Sequence, residues 1–267
     1  MAERVTGREL EWFGSTVAFV KAEDRKGSWF SYRARVRSVL HQCGIDLVVD
    51  AGANAGQFAR SLRSLYRGEI HSFEPVAAAF QQLDQAAAID PLWHVHHLAL
   101  GAHEAALPIN VSENTKLSSF HRSSAFSTRR FGERAQVTGQ ELVSVQRLDQ
   151  YLPSICPGLD QARILLKMDT QGYDQEVFRG ATNLLKQVVA LQSEVSLIPL
   201  YDGMPHWTET ISLFEAAGFA IVGLFPVAWD ALRVIEYDCL MVRSDVVTRD
   251  FSQAVGRPAG GPRGCQY

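Results

Sequence analysis

Two hydrophobic periods alternate along the chain, and the switches between them lay out its elements. Residues 47–51 form an apolar run broken only by Asp50, the pattern of a strand buried on both faces. Phe58, Leu62 and Leu65 then recur at helical spacing. The exchange repeats with a strand over 69–74, an alanine-rich helix over 75–88 and a strand over 94–100. Further on come strands over 164–168 and 188–195. The helix between them, over 174–187, has Val177, Phe178, Leu184 and Leu185 as its apolar face. A helix over 209–217, stopped by Gly218, leads to two late strands over 219–224 and 237–242. Strands alternating with helices imply βαβ units and a mostly parallel sheet. No helical pattern separates the last two strands, so one of them is expected to run antiparallel.

Three stretches stand outside this alternation. Within residues 1–45, Leu10, Phe13, Val17 and Val20 recur at helical spacing, as do Val36, Val39 and Leu40. Lys26-Gly27-Ser28 reads as a break between two helical pieces. They predict an N-terminal helical cap over a main domain, 46–248. Residues 105–160 form an irregular insert with a small pair of strands over 107–111 and 142–146. Its middle, 112–140, is rich in serine, threonine and arginine, and a loop that long is expected to be a functional lid or disordered. The tail, 249–267, reads as disordered.

Composition narrows the class without naming the chemistry. With 267 residues, 46% hydrophobic and 21% charged, the chain has material for one large α/β domain. A net charge of −3 argues against general nucleic-acid binding. No apolar run approaches the roughly 20 residues that span a bilayer. The opening MAERVTGRELEW lacks the apolar core of a secretory signal, so a cytoplasmic protein is expected. Cys43, Cys156, Cys239 and Cys265 are scattered, which suggests neither a zinc site nor a disulfide framework.

The turn after the strand over 47–51 changes the picture most. Gly52 and Gly56 let a ligand approach the backbone where strand-end carbonyls and the next helix's first amides converge. Glu74 ends the following strand 22 residues past Gly52, near the spacing of a carboxylate that accepts both ribose hydroxyls. The turn reads G-A-N-A-G, without the G-x-G pair that seats a pyrophosphate, and Asp50 would meet a pyrophosphate with like charge. S-adenosylmethionine, with a cationic amino group and no phosphate, fits better. An NAD(P)-dependent oxidoreductase is the alternative. Tight strand–helix packing alone would explain either the glycines or Glu74, but explains the two together poorly.

These residues resemble the FkbM-type family of S-adenosylmethionine-dependent methyltransferases. The likeness spans about 47–243 and rests on VVDAGANAGQF (48–58), SFEP (72–75), ILLKMDTQGYDQEVFRGA (164–181) and LQSEVSLIPLYDG (191–203). It implies an α/β class I methyltransferase fold, a Rossmann-like open sheet of about seven strands with the last one antiparallel. It also implies O-methylation of a hydroxyl on a sugar or other natural-product small molecule. Asp50, Gly52, Asn54, Gly56 and Glu74 take the family's cofactor-binding positions, with Gln57, Pro75 and Ser118 as further candidate contacts. Many relatives have D-x-E-G where this chain has Asp169-Thr170-Gln171-Gly172. Any role of that glutamate is not carried over, which keeps a non-catalytic cofactor-binding module as a second alternative.

Methyl transfer from a sulfonium is an in-line displacement, and a hydroxyl acceptor gains from a base that takes its proton. Asp169 closes the strand over 164–168, Glu194 lies near the end of the next, and His206 follows in a loop. Asp169 is the first candidate for the base, and a helix N-cap is its plain alternative. Glu194 sits inside LQSEVSLI, where an unpaired charge is costly to bury. Two carboxylates on adjacent strands suit a divalent cation, but no third ligand is evident and no metal is expected. His94, His96 and His97 read as a polar strand edge rather than a metal site. In the insert, Lys116, Arg122, Arg129, Arg130 and Arg134 interleave with Phe120, Phe126 and Phe131. Exposed rings in a mobile loop are unfavourable unless they cover something, which supports a lid over a small-molecule acceptor.

Overall fold

The computed structural model describes residues 9–12, 15–18 and 27–247, with side chains from Tyr32 onward. β1 (Glu9–Trp12) and β2 (Ser15–Ala18) pair antiparallel. The helix expected through Leu10 and Val17 is therefore replaced by extended chain; Phe13 and Val20 lie outside the described residues. ELEW alternates polar and apolar strictly, so it satisfies the strand period as well as the helical one. α1 (Gly27–Gln42) opens at the glycine expected to separate two helices, and it buries Val36, Val39 and Leu40. The tail expected to be disordered, 249–267, lies outside the described residues.

β3 (Leu47–Ala51), α2 (Gln57–Leu62), β4 (Glu69–Phe73), α3 (Ala77–Ala87) and β5 (Trp93–His96) then build three parallel neighbours. The strand expected over 94–100 divides here. Leu98 N–H donates to the His96 carbonyl at 3.0 Å, which turns the chain, and β6 (Ala99–Leu100) joins another sheet. That sheet is completed by β7 (Ala105–Ser112) and β8 (Val137–Gln146), in the order β6–β8–β7, with α4 (Ala125–Phe131) between the long strands. The insert is thus more regular than its composition suggests.

α5 (Leu148–Ile155) returns the chain to β9 (Ile164–Met168), followed by α6 (Asp174–Arg179), β10 (Val188–Ser196) and α7 (Trp207–Ala216). α6 is less than half the expected length. At Gly180 the backbone runs against the Gly101 carbonyl, where an added Cβ would sit 2.0 Å from the oxygen. β11 (Phe219–Asp230), β12 (Arg233–Arg243) and the short α8 (Ser244–Val247) finish the described chain.

The main sheet has the order β11–β12–β10–β9–β3–β4–β5. Only β12 is antiparallel to its neighbours, as the resemblance implied. Val49, Leu166 and Leu191 face one core with α5–α7, and Val48, Leu165 and Leu240 face another with α1. The chain runs outward from β3 through β5, then returns to the other side of β3 as β9. That reversal is a topological switch point, where open α/β sheets bind ligands. Cys43 and Cys239 are free and buried, and Cys156 is buried as well.

Candidate active site

Gly52 leaves β3 at φ +74°, and a Cβ there would lie 2.0 Å from the Asp169 carbonyl oxygen. Only glycine lets the chain ends of β3 and β9 pass so closely. Gly52 and Ala53 N–H both donate to the Phe73 carbonyl at 3.0 Å. Asn54 follows in the left-handed region at φ +47° and donates its N–H to Glu74 Oε2 at 2.8 Å. The other oxygen, Oε1, accepts from Val76 N–H at 2.8 Å. Glu74 thereby ties the turn after β3 to the start of α3. Burial pushes its carboxyl up to about 7, against the lowering effect of these two amides.

The remaining turn residues divide by role. Gln57 and Pro75 line the same cavity as Gly52, Asn54 and Glu74. Gly56, at φ +79°, packs instead against Trp93, whose ring would stand 2.7 Å from an added Cβ. Asn54 Nδ2 donates to Thr115 Oγ1 at 2.9 Å, joining the turn to the insert. Ser118 lines the cavity, and its Oγ accepts from Ser112 N–H at 3.1 Å.

Asp50 does not line the cavity. It is wholly buried beneath it, accepts from Ser72 Oγ at 3.2 Å, and pairs with Lys167 Nζ at 3.0 Å. Lys167 also approaches Asp169 at 3.4 Å and donates to the Gly52 carbonyl at 3.2 Å. Burial alone would lower its pKa, but Asp50 and Asp169 raise it above the ordinary lysine value. The expectation that Asp50 meets a cationic ligand is therefore indirect in form: its charge is met by a lysine that does line the site. That lysine was overlooked, although a lone cation inside ILLKM carries the same signal that singled out Glu194.

Asp169, Glu194 and Glu236 form an acidic wall of the cavity. Gln171, at φ +53°, bridges two of them, its Nε2 donating to Asp169 Oδ1 and Glu194 Oε2 at 3.0 Å each. Its own Oε1 accepts from the buried Tyr201 hydroxyl at 2.6 Å. Gln171 is thus a built part of the wall. Asp169 does not cap α6, whose cap position is Tyr173 without a side-chain bond, and Asp174 accepts from Thr170 N–H at 2.9 Å. Burial pushes Glu194 well above the carboxylate range, with Asp169 and Glu236 adding to it, and pushes Glu236 up to about 7. Asp238, burial first and Asp169 second, rises to about 6. Glu236 and Asp238 escaped the sequence reading, although acids two apart in VIEYDCL share one strand face.

His206 is placed elsewhere. It is exposed at the start of α7, where Nδ1 accepts from Thr208 N–H at 3.4 Å, and it does not line the cavity. His96 lies toward the far edge of the sheet, its Nε2 3.1 Å from His71 Nδ1, and burial with His71 and His94 pushes it down to about 3. Glu69, His71 and Cys156, all buried, have potential ligand atoms within 4.8 Å of one another.

The cavity measures about 470 Å³, and its lining includes Phe120 and Phe131 of the insert and Val227 and Ala228 of β11. Phe126 packs with Leu200, Tyr201 and Ile235. Lys116 and Arg134 contribute the remaining cationic lining. The turn itself offers no free cation to a phosphate, because Lys167 is shared by Asp50 and Asp169. A nucleoside-type ligand carrying positive charge fits this set of groups.

Among the described residues no helix is long and apolar enough to cross a membrane. No curated protein matches the sequence. An rRNA methylase from Streptococcus thermophilus aligns structurally at 9% identity and a TM-score of 0.42, over 78% of this chain and 94% of its own. A magnesium protoporphyrin IX methyltransferase from Synechocystis, solved with S-adenosylmethionine bound, aligns at 11% identity and 0.43, over 83% of each chain. A SAM-dependent methyltransferase from Aquifex aeolicus aligns at 13% identity and 0.38, over 82% of this chain and 98% of its own. The family profile described as the methyltransferase FkbM domain matches residues 50–221, more than half of the sequence. The chain therefore belongs to the FkbM methyltransferase family, and its cofactor is S-adenosylmethionine.

Proposed function

We propose that this methyltransferase acts in the cytoplasm on a hydroxyl of a sugar or other natural-product small molecule. The observation that carries the reading is the wall of Asp169 and Glu194, fixed by Gln171 inside the cavity. A hydroxyl gains nucleophilicity when a nearby carboxylate takes its proton as the new bond forms. The cofactor supplies a methyl group activated by its sulfonium. Gly52, Asn54 and Gln57 shape the floor on which it is held, and Glu74, with acceptor capacity beyond its two amide bonds, receives ribose hydroxyls. Asp169 and Glu194 orient the acceptor and take its proton, while Phe120 and Phe131 exclude water. His206 caps α7 and has no part in this scheme. The acidic wall also disfavours a phosphate backbone, which supports a small acceptor over nucleic acid.

Transfer of labelled methyl to a panel of sugars, polyketide-like alcohols, amines and RNA tests this. The expected product holds an alkali-stable label on a sugar or alcohol oxygen. Label appearing only in RNA or on nitrogen would contradict it, and binding without any transfer would favour a non-catalytic module. On the productive acceptor, Asp169→Asn and Glu194→Gln should each lower kcat by about tenfold or more while the Kd for S-adenosylmethionine stays within about threefold.

A further inference from the structure

Glu194 on β10 and Glu236 on β12 lie on neighbouring antiparallel strands and both line the cavity. Each carboxyl has its own donor, Gln171 for Glu194 and Ser196 for Glu236. Two carboxyls that share one poorly hydrated wall repel when both are ionised, which favours keeping one proton on the pair. The groups around the pair are acids or neutral. Asp169 follows β9, Asp238 lies on β12 and Asp174 on α6. Ser196 Oγ donates to Glu236 at 2.9 Å, Gln171 donates to Glu194 at 3.0 Å, and the Tyr201 hydroxyl is directed to Gln171. The nearby cation, Lys167, is divided between Asp50 and Asp169. Lys116 and Arg134 also line the cavity, but among the described residues no cation forms an ion pair with Glu194 or Glu236, so a retained proton relieves repulsion within the wall. The upward shifts of Glu194 and Glu236, set first by burial, agree with this.

We propose that Glu194 and Glu236 form a proton switch that responds to the charge of the ligand in the cavity. The pair releases its shared proton to solvent when the cationic S-adenosylmethionine binds, and it regains one from the acceptor during transfer. A positive charge in a poorly hydrated cavity favours the ionised form of nearby carboxyls. The balance closes. In the transfer step the acceptor's O–H bond and the S–CH₃ bond break, and the O–CH₃ bond forms. The acceptor proton goes to the pair as the positive charge on sulfur disappears, so the net charge of the cavity is the same before and after. Both carboxylates are thus ready for a proton only while a methyl donor is present.

The inference rests on the cofactor site proposed above, and calorimetry separates the two. S-adenosylmethionine and S-adenosylhomocysteine are titrated into the protein at about pH 7.5 in buffers of different ionisation enthalpy, which yields the protons released per ligand. Glu74 is also raised to about 7 and meets the same ribose in both ligands, so its contribution cancels in the difference. S-adenosylmethionine is expected to release about half a proton or more beyond S-adenosylhomocysteine. Glu236→Gln should remove that difference, and Glu194→Gln serves as an independent second variant. Equal release by the two ligands, or a difference that survives both substitutions, would overturn the switch with the cofactor site intact. Failure of both ligands to bind would overturn the site and the switch together.

Discussion

At Lys167 a buried ammonium meets Asp50 at 3.0 Å and Asp169 at 3.4 Å beneath the turn that shapes the site. Removing one partner of such a buried pair leaves the other charge uncompensated. Lys167→Met should therefore destabilise the protein by about 3–5 kcal/mol in denaturant unfolding, with Asp50→Leu added to it recovering much of the loss. Full stability of the single variant would show that the pair contributes nothing. At this scale the sequence exposed some chemistry and hid some. Asp50 and Glu74 were visible because they end strands on either side of a glycine turn. Lys167 and Glu236 were visible only as charges inside apolar runs, because their partners come from strands far apart in sequence that the sheet makes neighbours. Gln171 looked like a lost acid. It is instead the donor that holds two acids in place.

Among the elements, β3 and β9 were legible in full, since strands buried on both faces read as continuous apolar runs. In the insert the pair over 107–111 and 142–146 was legible, but the full lengths of β7 and β8 were not, because both are largely exposed and their polar residues mask the pairing. β1 and β2 were misread as helix because four-residue strands satisfy both periods at once. His206 shows how a polar loop residue can suggest catalysis when it serves an element end. His206→Ala should lower stability by about 0.5–1 kcal/mol through loss of its bond to Thr208 N–H, without changing S-adenosylmethionine affinity. A drop in affinity on titration would return His206 to the site. Gly52→Ala, by contrast, forces a Cβ onto the Asp169 carbonyl at φ +74° and should abolish cofactor binding or folding altogether. Retention of full affinity would show that the two strand ends are not packed as described.

For the whole molecule, the concentration of acids at one end of the sheet sets a pH dependence. Glu74 and Glu236 are raised to about 7 and Asp238 to about 6, with burial the first cause of each. In the unfolded chain these groups ionise near 4, so between about pH 4 and 7 the folded state binds more protons than the unfolded one. Stability contributed by the protonated carboxyls is present at low pH and is lost as pH rises through these folded values. The unliganded protein should therefore melt about 5 °C or more lower at about pH 8 than at about pH 6, and saturating S-adenosylmethionine should raise Tm more at the higher pH. A Tm that rises across that interval would contradict the burial of these acids. The central claim is that the cavity between Gly52, Glu74 and the acidic wall binds S-adenosylmethionine, and isothermal titration of wild type and Glu74→Ala tests it most directly. One cofactor per chain should bind the wild type, with affinity at least about tenfold weaker in the variant, a loss of about 1.4 kcal/mol. Equal affinity for the two proteins would place the cofactor somewhere else.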